Sequence, residues 1–266
     1  MTTLCQTTRL LITVMTYPHP SSKYRELVCT AGITAQGEWV RLYPVNYRYR
    51  PRHQQFHKYQ WITVELRPHA AGNDKRKESR QPRLDSIRVE GAPLSTDDGW
   101  RERRAIIDNV PQHTMTQLQE LYNKDRTSLG IVRPTRVLDR DIIEASAEWK
   151  PEWQVLFDQL LLFGEPQKPL RKLPYKFQYV FECDDSPRPH RASIIDWELG
   201  TLFLKQAERL GSESAAAESV REKFLNQMCA SDRDIRFFIG TRLPYNTWLV
   251  LGVFWPPRVC QTELFD

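Results

Sequence analysis

The chain has 266 residues, with 38 Lys plus Arg against 33 Asp plus Glu and 40% hydrophobic residues, enough to build one large or two modest cores. This composition excludes collagen-like, coiled-coil and wholly disordered chains. No apolar run approaches the roughly 18 residues of a membrane span, and the opening MTTLCQTTRLLITVM lacks the features of a signal peptide, so a cytoplasmic protein with no membrane partner is expected.

In chain order, Arg9–Met15, Arg25–Ile33, Glu38–Val45 and Gln60–Leu66 are short, rich in Val, Ile, Tyr and Trp, and bounded by Pro, Gly or Ser, which predicts strands. Thr34–Gly37 reads as the turn of a hairpin. Gly72–Pro82 (GNDKRKESRQP) is polar and free of large apolar residues, which predicts a mobile surface loop, with a strand at Asp85–Val89. Ser95–Asp98 caps a helix through about Val110, and Thr114–Lys124 is a second helix. Strands follow at Leu129–Val132 and Val137–Ile143.

An apolar helical face over Trp149–Phe163 stops at Gly164-Glu165-Pro166, and Gln167–Pro174 reads as a linker. The last hundred residues predict strands at Tyr175–Glu182 and Arg191–Ile195, helices at Trp197–Leu210 and Glu213–Met228, then strands at Ile235–Gly240 and Thr247–Phe254. No repeat of fixed period is visible. The pattern is α+β rather than alternating βαβ, which argues against a doubly wound nucleotide fold.

Charge is unevenly placed. Between Arg41 and Arg83 eleven Lys or Arg stand against three acids, a local net of +8, and the rest of the chain is slightly acidic. Within it RLYPVNYRYRPRHQQFHKYQW interleaves cations with rings and holds no acid. Cations for phosphates beside rings for bases are what single-stranded nucleic acid needs. The expected binding residues are Arg41, Tyr43, Tyr47, Arg48, Tyr49, Arg50, Arg52, Lys58 and Tyr59, with Lys172 and Lys176 of a second basic piece, KPLRKLPYK, extending the groove.

Five cysteines, odd in number and with no CxxC pair, suggest neither a disulfide framework nor a zinc knuckle. Gly32–Gly37 has phosphate-loop glycines, but Glu38-Trp39 follows where Lys and Ser/Thr are needed, and no GxGxxG, GxSxG or HExxH occurs. Cys183, Asp184, Asp185, His190, Asp196 and Glu198 mix soft and hard ligands within sixteen positions, but in no established spacing. Asp196 and Glu198 read more simply as a helix N-cap and a first-turn acid, so no metal or cofactor is expected. The catalytic alternative is a metal-dependent nuclease using His190, Asp196 and Glu198. A third reading is a subunit whose aromatic surface meets a protein partner.

The hairpin CTAGITAQGEWVRLYPV (Cys29–Val45) resembles the opening of bacterial dual OB-fold domain proteins. SLGIVRP (Ser128–Pro134) is similar to the strand closing their first unit, and YKFQYVFE, HRASIIDWE and RFFIGTRLPYNTWLVLGVF to the layout of their second. Ser21-Ser22-Lys23-Tyr24 stands where that family has an asparagine-serine and double-glycine lead-in. The resemblance implies two small OB-like β-barrel units with helices between them and inserted in the second: residues 1–145, a helix and linker at 146–174, and 175–266. It also implies nucleic acid as partner and a place beside mobile-element or phage-defence genes; together with the basic-aromatic stretch this gives the expected function, a non-catalytic nucleic-acid-binding component of such a bacterial system, with a protein complex of neighbouring gene products as a further partner.

Overall fold

A computed structural model describes residues 5–69, 74–162, 169–242 and 247–259. The first part is built from strands β1 (Gln6–Met15), β2 (His19–Ser21), β3 (Arg25–Leu27), β4 (Thr30–Ile33), β5 (Trp39–Leu42), β6 (Trp61–Leu66), β7 (Ser79–Arg80) and β8 (Arg88–Glu90). Its main sheet runs β7-β5-β4-β1-β6-β8, and β2 and β3 form a separate hairpin between β1 and β4. The β4–β5 turn is the expected one: Thr34 Oγ1 accepts from the amides of Gln36 and Glu38, and Gly37 takes a positive φ of 83°.

The second sheet contains β9 (Gln112–His113), β10 (Leu129–Val132), β11 (Arg136–Glu144), β12 (Tyr175–Glu182), β13 (His190–Ile194), β14 (Arg236–Arg242) and β15 (Thr247–Phe254), in the order β11-β12-β13-β15-β14-β10-β9. The helices are α1 (Asp97–Ile107), α2 (Met115–Asp125), α3 (Pro151–Leu162), α4 (Trp197–Leu210) and α5 (Glu213–Arg221), the last running on as a π-helical turn through Gln227. The molecule is therefore mixed α+β with two large sheets, and α4 and α5 lie between β13 and β14.

One pairing scheme occurs twice. In the first sheet β1 pairs by its first half with β6 and by its second half with β4, β4 pairs with β5, and β5 runs parallel to β7. The chain after β7 also reaches β6: Leu66 bridges Pro82, Arg67 N donates to Gln81 O, and Arg83 N donates to Glu65 O. In the second sheet β10 and β11, separated by three residues, divide between two partners as the halves of β1 do, β10 on β14 and β11 on β12, while β9 adds parallel to β10. β13 and β15 are parallel, as β5 and β7 are in the first sheet, and β14 lies antiparallel to β15.

Side-chain alternation sorts the core into three layers. Leu10, Ile12, Val40, Leu42, Ile62 and Val64 fill the first unit. Phe177, Tyr179, Phe237, Ile239 and Val250 pack on Phe203 and Phe224 in the second. Between the units Val14, Ala31 and Ile33 meet Leu129, Ile131, Phe238, Leu249 and Leu251. β14 shows the strand period directly, Phe237 and Ile239 facing one layer and Phe238 the other.

Three expectations are corrected. Ser128–Pro134, expected to close the first unit, contributes β10, which lies in the second sheet between β14 and β9. The strand expected over Arg25–Ile33 is two, because Arg25–Leu27 pairs with β2 and only Thr30–Ile33 joins the main sheet. Within Gly72–Pro82, of which residues 74–82 are described, Asp74, Arg76, Glu78 and Ser79 are buried. Arg76 is held by Asp74 and donates to Thr241 O at 2.6 Å, and the Glu78 carboxylate accepts from Ser128 N and Oγ, both at 2.8 Å. The segment is polar because it is a charged seam between the units. Phe163–Pro166 lies outside the described residues.

Candidate functional site

Four residues of the expected nucleic-acid surface belong to the interior. Arg41 is fully buried: Nη1 donates to Cys29 Sγ (2.9 Å) and Nη2 to Ser128 O (3.1 Å) and Oγ (3.2 Å). It points out of the first unit's core, but that outer side of β5 is where the second sheet packs. The buried Tyr47 donates its hydroxyl to Phe56 O (2.6 Å) and sets its ring against Phe56 and Trp197, and burial pushes its pKa up to about 12. Lys58 and Tyr59 are buried as well.

Others are engaged at the surface. Arg48 pairs with Glu26 (2.8 Å), and Arg50 bonds Gln54 and Asp85. Arg52 is exposed, Tyr43 is 37% exposed, and Tyr49 is half-buried.

The exposed basic-aromatic face is centred instead on the β2–β3 hairpin. Lys23 Nζ lies 5.2 Å from the Tyr24 ring centroid, and the Arg25 guanidinium lies 5.2 Å from that of Tyr49. β3 packs on the Tyr47–Tyr49 turn, and Tyr43 and Tyr24 are near enough to act on each other electrostatically. At the other end of the hairpin His19 meets Trp149 edge-on at 6.0 Å, and Lys172 Nζ stands 5.9 Å from the same indole. Lys172 also donates to Glu148 O (2.7 Å), and Lys176 is exposed at the start of β12. Lys23, Tyr24, Arg25, His19 and Trp149 are the members that sequence reasoning missed. The signal was the polar Ser21–Arg25 stretch, a tight turn with a ring between two cations.

A second feature is a cleft of about 500 Å³ where the two units meet, lined by Tyr59, Trp100, Arg103, Glu198, Lys223 and Trp255 among others. Beneath it Lys58 Nζ sits between Asp196 Oδ2 (2.9 Å) and Glu198 Oε2 (2.8 Å). Asp196 is also the N-cap of α4, its Oδ1 accepting from Glu198 N (2.8 Å). Burial opposes the Lys58 charge, but the two carboxylates hold its pKa above the usual lysine range. The ammonium holds Glu198 below the usual carboxylate range, whereas burial raises Asp196 to about 6. Arg103 stacks on Tyr59 (4.0 Å) and Trp100 (4.9 Å). The Tyr59 hydroxyl is buried with no hydrogen-bond partner among the described residues.

The trio of the nuclease alternative is not brought together. His190 begins β13 and Asp196 follows its end, six residues along extended chain or about 20 Å at roughly 3.3 Å per residue. Asp196 and Glu198 do converge, but on the ammonium of Lys58, which occupies the place a cation would take. His190 lies with Cys183 and Asp185 instead.

Residues 111–266 match the family described as Domain of unknown function (DUF8757), more than half of the chain. The chain belongs to that family. Residues 6–109 match a second one, Domain of unknown function (DUF8758), so the two matches meet where strand membership passes from the first sheet to the second. No curated protein matches the chain.

Proposed function

We propose that the protein binds single-stranded or distorted nucleic acid without catalysis, on the basic-aromatic face around the β2–β3 hairpin. Each unit is read as an OB-like barrel. The twice-used pairing scheme supports this, as does the way residues 79–83 hydrogen-bond to both β5 and the β6 end of the sheet. OB barrels present ligands on strands two and three and on the loop joining strands one and two. In the first unit the outer side of β4 and β5 is covered by the second sheet, which leaves the joining loop, and that loop contains the β2–β3 hairpin.

The observation that carries the reading is the run of cations set against rings there: Lys23 on Tyr24, Arg25 on Tyr49, and Lys172 on Trp149. Cations at ring faces place positive charge for phosphates beside surfaces on which bases stack. The first two pairs lie at the hairpin turn, and the third reaches the other end of the hairpin through the contact of Trp149 with His19.

Fluorescence anisotropy with labelled single-stranded DNA, single-stranded RNA and duplex tests the proposal. Single strands should bind more tightly than duplex, and Tyr24→Ala or Tyr43→Ala should each cost about 1–3 kcal/mol. Single-strand affinity indifferent to both substitutions would overturn it. Absence of binding at low salt, with a protein that co-purifies through this face, would favour the assembly subunit.

A further inference from the structure

We infer that Cys183, Asp185 and His190, at the tip of the β12–β13 hairpin, form a binding site for one divalent transition-metal ion of the zinc type. A sulfur, a carboxylate oxygen and an imidazole nitrogen from these residues all lie within 4.8 Å of one another. A tetrahedral zinc site, with Zn–S of about 2.3 Å and Zn–N of about 2.0 Å, needs donors somewhat under 4 Å apart, so small side-chain rotations close the set.

Two independent features point to a ligand. The His190 Nε2 atom is buried and has no hydrogen-bond partner among the described residues. A buried nitrogen left unsatisfied is unfavourable, and a bond to a metal removes that cost. Polar groups of the α2 N-terminus also stand beside the set: the Met115 amide near the Cys183 sulfur, and the hydroxyls of Thr114 and Thr116 near the exposed Asp185 carboxylate, close enough to favour the charged form of each. Outer groups of this kind orient donors in metal sites. Below His190, the Phe181 ring packs at 5.6 Å and limits the imidazole's freedom.

Binding replaces the thiol proton of Cys183, which passes to solvent, with a sulfur–metal bond, and three protein donors leave a fourth position for water. The ion would tie the β12–β13 hairpin to α2. This site is separate from the nucleic-acid face and stands or falls without it.

Full-length protein stripped with a chelator and titrated with Co²⁺ provides the test. One equivalent should produce thiolate-to-cobalt charge-transfer absorption that Zn²⁺ then displaces. The band should persist in Cys229→Ala, vanish in Cys183→Ala, and require at least about tenfold more cobalt in Thr116→Val. Should Cys183→Ala not fold, His190→Gln serves, with at least tenfold weaker cobalt binding expected. No charge-transfer band in folded wild-type protein, a band surviving Cys183→Ala, or unchanged affinity in His190→Gln would overturn the site.

Discussion

The Arg41 guanidinium donates to both the backbone oxygen and the hydroxyl of Ser128, joining β5 of the first sheet to the residue that precedes β10 of the second. Ser128 in turn donates to Glu78, so one buried cation and one buried anion are linked through a serine across the boundary. Removing one partner leaves the other charge buried and uncompensated. Arg41→Met is therefore expected to destabilise the fold by about 3–5 kcal/mol in chemical denaturation. At temperatures where the variant is folded, its affinity for nucleic acid should equal that of the wild type, because Arg41 does not reach the surface.

The buried Lys58 makes a further ionic contact between the units, against the buried Asp196 and the exposed Glu198. Lys58→Met should cost a similar amount at pH 7, and with a definite pH signature. Asp196 already has a raised pKa in the folded state, and without the ammonium it rises further. A carboxyl with a raised folded pKa binds its proton in the native state while the unfolded chain is still ionised, so stability increases as pH falls towards about 4. The deficit of the variant should narrow between pH 7 and pH 5, and Asp196→Asn in the same background should recover part of it. A deficit independent of pH would show that Asp196 is not the stranded charge.

His19 makes the opposite contribution. Its ring sits edge-on to Trp149 and Trp153, and this partial withdrawal of an otherwise exposed side chain from water, with Arg242 nearby, lowers its pKa. The folded state keeps the ring neutral, whereas the unfolded chain takes up a proton near pH 6.5. Stability from this group is present above that pH and is lost as pH falls towards the folded value. His19→Phe lacks the loss, so its melting temperature relative to wild type should rise between pH 7 and pH 5. A constant difference over that range would contradict the assignment.

These contacts explain which parts of the molecule were legible in the sequence. Strands such as Trp61–Leu66 and Arg236–Arg242 carry their own period and read correctly, as did the Asp196 cap. Arg41 could not be placed, since the outward side of β5 is inward for the assembled pair, and its partner Ser128 is 87 residues away. Lys58 is 138 residues from Asp196. The pairing scheme of the two sheets repeats without a sequence period, because residues 43–60 separate the third and fourth strands in the first unit and residues 195–235, with two helices, in the second. The seam at residues 74–79 did leave a signal: Asp74, Arg76 and Glu78 alternate with Lys75 and Lys77, the inner three buried and the outer two exposed. Polarity alone made it resemble a surface loop.

The central claim is that the cations of the hairpin face neutralise phosphates. Its most direct test is the salt dependence of single-strand affinity for wild-type protein and for a variant with Lys23, Arg25 and Lys172 all changed to Ala. Each phosphate contact on a single strand contributes about −0.7 to the slope of log affinity against log salt. Loss of three contacts should make the slope shallower by about 2 and weaken binding most at low salt. An unchanged slope with unchanged affinity would contradict the account and place the binding surface elsewhere.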